Sequence, residues 1–251
     1  MLDVSSCKLS FGGVKAVDDV SLRVEPGSIT GLIGTNGAGK TTLFNVISGF
    51  LKADAGSIRF MDRDITARDP SEIAKLGILR TFQTPVGFPR MTVMENMLVF
   101  SRHDRDRRSS PFSPARVPAE TLEAASAILA DFGLYQKRDV WAEDLSAPDL
   151  KMLEFARAMM AGPVLLMLDE PAAGVNPALI ESLASRIRAL RDQGVSFLLV
   201  DHNLKFVCNV CDRIFAMADG RIIAEGTPDE VIADQKVLEL YIGKSAKTDL
   251  Q

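Results

Sequence analysis

The 251-residue chain is 47% apolar and 25% charged, enough for a sizeable core without disulfides or metal. Its net charge of −4 and pI near 5.3 speak against a protein that grips nucleic acid through phosphates, so no nucleic-acid partner is expected. The start, Met1-Leu-Asp-Val-Ser-Ser, lacks the basic and apolar regions of a secretory signal, and no stretch approaches the ~20 apolar residues of a membrane span. The expected location is the cytoplasm or, as a peripheral protein, the cytoplasmic face of a membrane.

Val4 to Phe11 and Val17 to Val24 alternate or carry β-branched residues and read as strands, with Pro26-Gly27 as a turn. Ser28 to Ile33 is a short apolar strand running into a glycine-rich loop, and Thr41 to Phe50 follows as a helix. From about Met91 to Ala161 the period becomes helical, with Thr92–Phe100, Pro118–Phe132 and Ser146–Ala161 as helices. Val164 to Leu168 and Val195 to Val200 are continuous apolar runs, as in strands buried on both faces of a parallel sheet. Pro177–Asp192 between them reads as a helix, and Arg213–Met217 as a third such strand. The pattern predicts an α/β core, residues 1–83 and 156–251, with a helical lobe inserted over residues 84–155.

Two stretches invite sharper readings. Cys208 and Cys211 form a lone C-x-x-C with no second pair and no histidine at ligand spacing, so core packing is the expectation. The third cysteine is Cys7, and so sparse a set fits a reducing compartment. Arg102 to Val117 carries five arginines and two aspartates, and reads either as a solvated loop or as a contact for anionic lipid headgroups.

Gly34-Thr-Asn-Gly-Ala-Gly-Lys40-Thr41 matches G-x-x-x-x-G-K-[ST], a loop whose backbone N–H groups converge on phosphates ahead of a helix N-terminus. Gly34, Thr35, Asn36, Gly37, Ala38, Gly39, Lys40, Thr41 and Thr42 are therefore the candidate ATP-binding residues. Lys40 is expected to reach the β- and γ-phosphates, and Thr41 to hold Mg²⁺. Such a loop needs an acidic partner at the end of a neighbouring buried strand. Val164-Leu-Leu-Met-Leu-Asp169-Glu170 supplies Asp169 for the metal and Glu170 to polarise the attacking water.

Phosphate loop, Asp-Glu-Pro and intervening helical insertion resemble the ATP-binding cassette (ABC) family of transporter ATPases over nearly the whole chain. The resemblance implies a RecA-like P-loop NTPase core, an N-terminal antiparallel β subdomain and an inserted helical subdomain. It also assigns roles: Phe11 stacks on adenine, Gln83 touches Mg²⁺ and relays the nucleotide state to membrane subunits, and His202 holds the γ-phosphate. Ala173-Gly174-Val175-Asn176 is the segment through which two ATPase subunits communicate. Asn36-Gly-Ala-Gly-Lys-Thr-Thr-Leu-Phe-Asn45, Arg80-Thr-Phe-Gln83, Met91-Thr-Val-Met-Glu-Asn96, the run Asp169–Pro177 and Leu240-Tyr-Ile-Gly243 look like the ATPases of branched-chain amino-acid importers. Lipopolysaccharide-exporter ATPases share much of this set. A soluble cassette ATPase is disfavoured by the single cassette, and a P-loop kinase by Glu170, His202 and the insertion.

The resemblance further implies a second, related ATPase, two membrane permease subunits and an extracytoplasmic substrate-binding protein as partners. One departure matters. The family's Leu-Ser-Gly-Gly-Gln signature, which grips ATP held by the opposite subunit, reads Leu145-Ser146-Ala147-Pro148-Asp149. Ser146 and Asp149 are spaced as a capping box, so the helix is expected to form. Pro148 has no N–H to offer a phosphate, and Asp149 brings a negative charge. Two expectations result: a heterodimer with one strong and one weakened site, or a proline variant that relaxes the geometry and works adequately. Asn176 in place of the usual Asp is expected to matter little.

Overall fold

The computed structural model describes residues 1–81, 88–101, 117–175 and 177–240. Gln83, Asn176, the arginine-rich 102–116 and Tyr241–Gly243 lie outside the described residues. The chain divides into one unit formed by Met1–Arg80 with Val164–Gln251, and a second, Thr81–Pro163.

The first unit begins with an antiparallel sheet. β1 (Leu2–Phe11) pairs with β2 (Val14–Val24) and β4 (Ala55–Phe60), and β5 (Arg63–Asp64) completes the order β2-β1-β4-β5. The inward positions change parity along β1, from Leu2 and Val4 to Cys7 and Leu9. Ser6 at φ 47°, inside a register shift between Val4 and Cys7, accounts for this, because one extra residue flips every later side chain to the other face.

The larger sheet has the order β10-β9-β3-β8-β7-β6, with β3 (Ile29–Gly34), β6 (Ile78–Arg80), β7 (Leu165–Asp169), β8 (Ser196–Val200), β9 (Arg213–Ala218) and β10 (Arg221–Gly226). Five strands run parallel and β10 returns antiparallel to β9. Every residue of β3, β7 and β8 is buried, which is why these strands read as unbroken apolar runs. Helices α1 (Lys40–Ile47), α2 (Pro70–Lys75), α6 (Pro177–Asp192), α7 (Leu204–Val210) and α8 (Pro228–Ala233) belong to this unit. Phe44 and Ile47 of α1 are fully buried in one cluster with Leu2 and Val20 of the small sheet and Leu165, Leu198 and Phe215 of the large one. Each such side chain contributes about 1.5–3 kcal/mol by leaving water. α1 stops short of the predicted Phe50 because Gly49 turns left-handed at φ 78°.

The C-x-x-C pair sits as core packing requires. Cys211 is buried, Cys208 half-buried, and both are free thiols. A Cβ at Gly31 of β3 would come within 2.9 Å of the Cys211 sulfur, so α7 approaches the sheet closely there. Burial raises both thiol pKa values, Cys211 most strongly.

The second unit packs α3 (Val93–Val99), α4 (Ala119–Asp131) and α5 (Ala147–Met160) on one another. Thr92 and Glu95 cap α3 reciprocally. Fully buried Asn96 accepts from the Phe88 N–H and donates to the carbonyls of Phe88, Met91 and Thr92, which pins the entry to that helix. Among the described residues no helix is long and apolar enough to cross a membrane.

Candidate nucleotide site

Parallel register brings the site together. Leu32 of β3 lies opposite Val200 of β8, and Val200 lies opposite Asp169 of β7. The segments leaving these strands (34–39, 170–175 and 201–203) therefore emerge at the carboxyl edge of the sheet, where open α/β sheets bind ligands. β8 stands between β3 and β7, so the acidic strand is one strand removed from the loop-bearing strand rather than directly beside it.

The loop is held from behind. Gly220 N donates to Ala38 O at 3.0 Å, and Asp18 N to Gly220 O at 2.8 Å. Gly39 adopts φ 102°, and a Cβ there would strike the Ala16 carbonyl, so only glycine serves at this helix start. α1 has no side-chain cap and no acidic residue in its first turn, which leaves the positive end of the helix dipole unneutralised. Lys40, 5% exposed, donates from Nζ to Gly34 O at 2.8 Å and Thr35 O at 3.0 Å.

Across from the loop stand Glu170 and His202. Their side chains meet, Nε2 to Oε1, at 2.7 Å. Glu170 has φ 50°, a left-handed conformation that costs a non-glycine residue about 1–3 kcal/mol. Its N–H donates to Val200 O at 2.8 Å, which holds the strained residue against β8. Asp201 fastens the two segments together: Oδ2 accepts from Ala172 N and Oδ1 from Asn203 N, both at 2.8 Å. Burial pushes the Asp201 carboxyl above its usual range; backbone N–H groups of Asn203, Ala172 and His202 pull the other way, and the charge of Glu170 adds to the rise.

A cavity of about 620 Å³ joins these parts, lined by Val14, Lys15, Ala16, Asn36, Gly37, Gly39, Lys40, Thr41, Thr42, Glu170, His202 and Asp219. Phe11 is not among them; it is 51% exposed, and β2 presents Val14, Lys15 and Ala16 instead. Neither these three nor Asp219 is announced by a sequence motif, since a hairpin and a β9–β10 turn bring them in. Asp169 is not among the lining residues and is salt-bridged to Arg80 at 2.8 Å. Thr41 and Asp169 are oxygen donors of the kind a hard divalent cation takes. Ala173, Gly174 and Val175 follow in a turn, with Ala173 N donating to Glu170 O at 3.1 Å.

In the second unit, Ser146 caps α5 and its Oγ accepts from Asp149 N at 3.3 Å. The predicted reciprocal arm does not form, which corrects the capping-box expectation. Asp149 Oδ2 instead takes Ser146 Oγ at 2.5 Å and Lys137 Nζ at 2.6 Å. An aspartate is one methylene shorter than the Glu that closes a capping box, and a cation lies within its reach. Burial opposes the Asp149 charge, but the bonds from Lys137 and Ser146 outweigh it and hold the carboxyl below its usual range.

The sheet order, the glycine-built loop and the acidic strand end define an α/β nucleotide-binding protein of the P-loop class. Residues 17–173 match the ABC transporter family, to which the chain therefore belongs, and residues 221–247 match the branched-chain amino acid ATP-binding cassette transporter family. It is 43% identical over 245 residues to a protein named as the probable branched-chain amino acid transport ATP-binding protein LivG of Archaeoglobus fulgidus, covering 97% of this chain and 95% of that one. To the high-affinity LivG of Escherichia coli K12 it is 38% identical, with 98% of each chain covered. Among solved structures it is similar to the ADP conformation of MJ1267, an ATP-binding cassette of an ABC transporter. That pair has 39% identity and a TM-score of 0.86, over 97% of this chain and 98% of that one.

Proposed function

We propose that this chain is the ATP-hydrolysing subunit of an importer for branched-chain or related small amino acids or amides, seated on the cytoplasmic face of a membrane. The observation that carries this is the convergence of Lys40, Glu170 and His202 on one cavity at the sheet's carboxyl edge. The cargo rests on relatives named for branched-chain amino acid transport.

Backbone N–H groups of residues 34–42 and Lys40 bind the ATP phosphates. Glu170 accepts a proton from the attacking water, and His202, oriented by its 2.7 Å bond to Glu170, holds the γ-phosphate. Thr41, Asp169 and Gln83 would hold Mg²⁺, which would supply charge neutralisation for the phosphates. Phe11, whose ring is exposed, stacks on the adenine. A second, related ATPase closes over the nucleotide and communicates through Ala173, Gly174, Val175 and Asn176. Two permease subunits and an extracytoplasmic binding protein complete the transporter. Ser146, Ala147, Pro148 and Asp149 face the partner's ATP, and Pro148 removes one N–H from that contact.

With the purified transporter, Glu170→Gln should lower hydrolysis by about 10²–10⁴-fold while ATP binding persists. Hydrolysis at the wild-type rate would sink the assignment. Inactivating the catalytic Glu of each subunit in turn should give unequal residual rates; equal rates would contradict the asymmetric dimer.

A further inference from the structure

Arg80 is the last residue of β6 and pairs with Met167 of β7, two residues before Asp169. Its guanidinium joins three places at once. Nη2 donates to Asp169 Oδ2 at 2.8 Å, Nη1 donates to Asn45 Oδ1 at 2.6 Å and Ser48 Oγ at 3.3 Å, and Cζ lies 5.7 Å from the centre of the Phe44 ring. Ser48 is itself fixed by donating to Phe44 O at 2.6 Å. The Arg80 and Asp169 side chains are only 10% and 8% exposed.

A carboxylate and a guanidinium so buried, held at 2.8 Å, fix each other's position more firmly than an exposed pair would. The planar fork also reaches carboxylate and amide together, which a lysine ammonium on a flexible stem does poorly. Because Asn45 and Ser48 close the far end of α1 and Thr41 opens it, the bond from Arg80 ties that helix to the end of β7. The guanidinium occupies Oδ2 of Asp169, and no other donor bonds this carboxylate among the described residues.

We propose that Arg80 is a positioning residue for the magnesium side of the nucleotide site: its bond to Oδ2 orients Asp169 with Oδ1 available and sets its spacing from the Thr41 hydroxyl. The inference rests on reading Thr41 and Asp169 as the metal-side donors. Partners behind metal ligands commonly change metal affinity by about 10- to 100-fold when removed.

The test uses the full chain and a non-hydrolysable ATP analogue, titrated with Mg²⁺ while analogue affinity is followed. Arg80→Met should leave affinity in EDTA within about twofold of wild type. The Mg²⁺ concentration for half-maximal tightening should rise by about 10- to 100-fold. Arg80→Lys should recover only part of this, and Asn45→Ala, which spares the Arg80–Asp169 pair, should give a smaller shift in the same direction. An unchanged Mg²⁺ midpoint in Arg80→Met overturns the proposal, as does a loss of affinity in EDTA as large as the loss with metal. If Arg80→Met does not fold, an unchanged midpoint in Asn45→Ala overturns it. A wild-type chain indifferent to Mg²⁺ would sink the Mg-ATP reading and this inference with it.

Discussion

Two helix starts in this molecule look alike in outline and differ in everything an anion would meet. α1 opens on Gly39 with no side-chain cap, no acid in its first turn and Lys40 as its first residue. α5 opens on Ser146, which caps it, with Pro148 and then Asp149 in the first turn. The first leaves its N–H groups and dipole for a ligand; the second commits the Asp149 N–H to its own serine and sets a carboxylate in the first turn. Lys137 completes the contrast by neutralising Asp149 from a 3-10 turn, Tyr135–Lys137, so the departure from the family signature carries its own counter-charge. The negative charge expected there from the sequence is paired with Lys137 at 2.6 Å.

Substitutions at each helix start should separate the two. Lys40→Met should cost about 1.5–3 kcal/mol of nucleotide binding, the loss of a charge-assisted bond, measured by titrating the isolated chain with a fluorescent ATP analogue. Ser146→Ala should leave that affinity unchanged and lower stability by about 0.5–2 kcal/mol through the lost cap. Equal effects of the two on binding would end the distinction.

A smaller effect probes the Lys137–Asp149 pair. Lys137 is 45% exposed, so the coupling should be about 0.5–1 kcal/mol and shrink with salt. In a double-mutant cycle on urea midpoints, Lys137→Met in an Asp149→Asn background should cost less than Lys137→Met alone. Strict additivity would mean that the pair holds nothing.

The smallest expected signal is in pH. Asp149 has a lowered folded pKa, so its contribution is complete above the unfolded value of about 4 and is lost as pH falls below that. Asp201 has a raised folded pKa, so its contribution is present below about pH 4 and is lost as pH rises through the folded value. Urea midpoints across this range should therefore lose part of their acid sensitivity in Asp149→Asn. Asp201→Asn should instead flatten the slope on the neutral side. A common change in both variants would contradict these opposite signs.

Much of the fold and site was legible because local signals agreed. Glycine spacing from Gly34 to Lys40, the apolar runs at Leu165–Leu168 and Ser196–Val200, and the caps at Thr92 and Ser146 each state a local requirement that neighbouring residues satisfy. β4, β5, β10, α2 and α8 left fainter traces, being short or half-exposed elements whose pattern spans too few residues to fix a period. The Arg80–Asp169 bond and the lining residues Val14, Lys15, Ala16 and Asp219 had no local trace at all.

The sequence alone determined that the chain builds a phosphate loop on a buried strand, places two adjacent carboxylates at the end of another, and starts a helix at Ser146. Those features depend on residues near one another in the chain. Tertiary structure decided which strand lies between β3 and β7, which arginine balances Asp169 across 89 positions, and where the Asp149 charge goes. Strand order and charge pairing are set by packing and desolvation between distant segments, and no local window of sequence contains those energies.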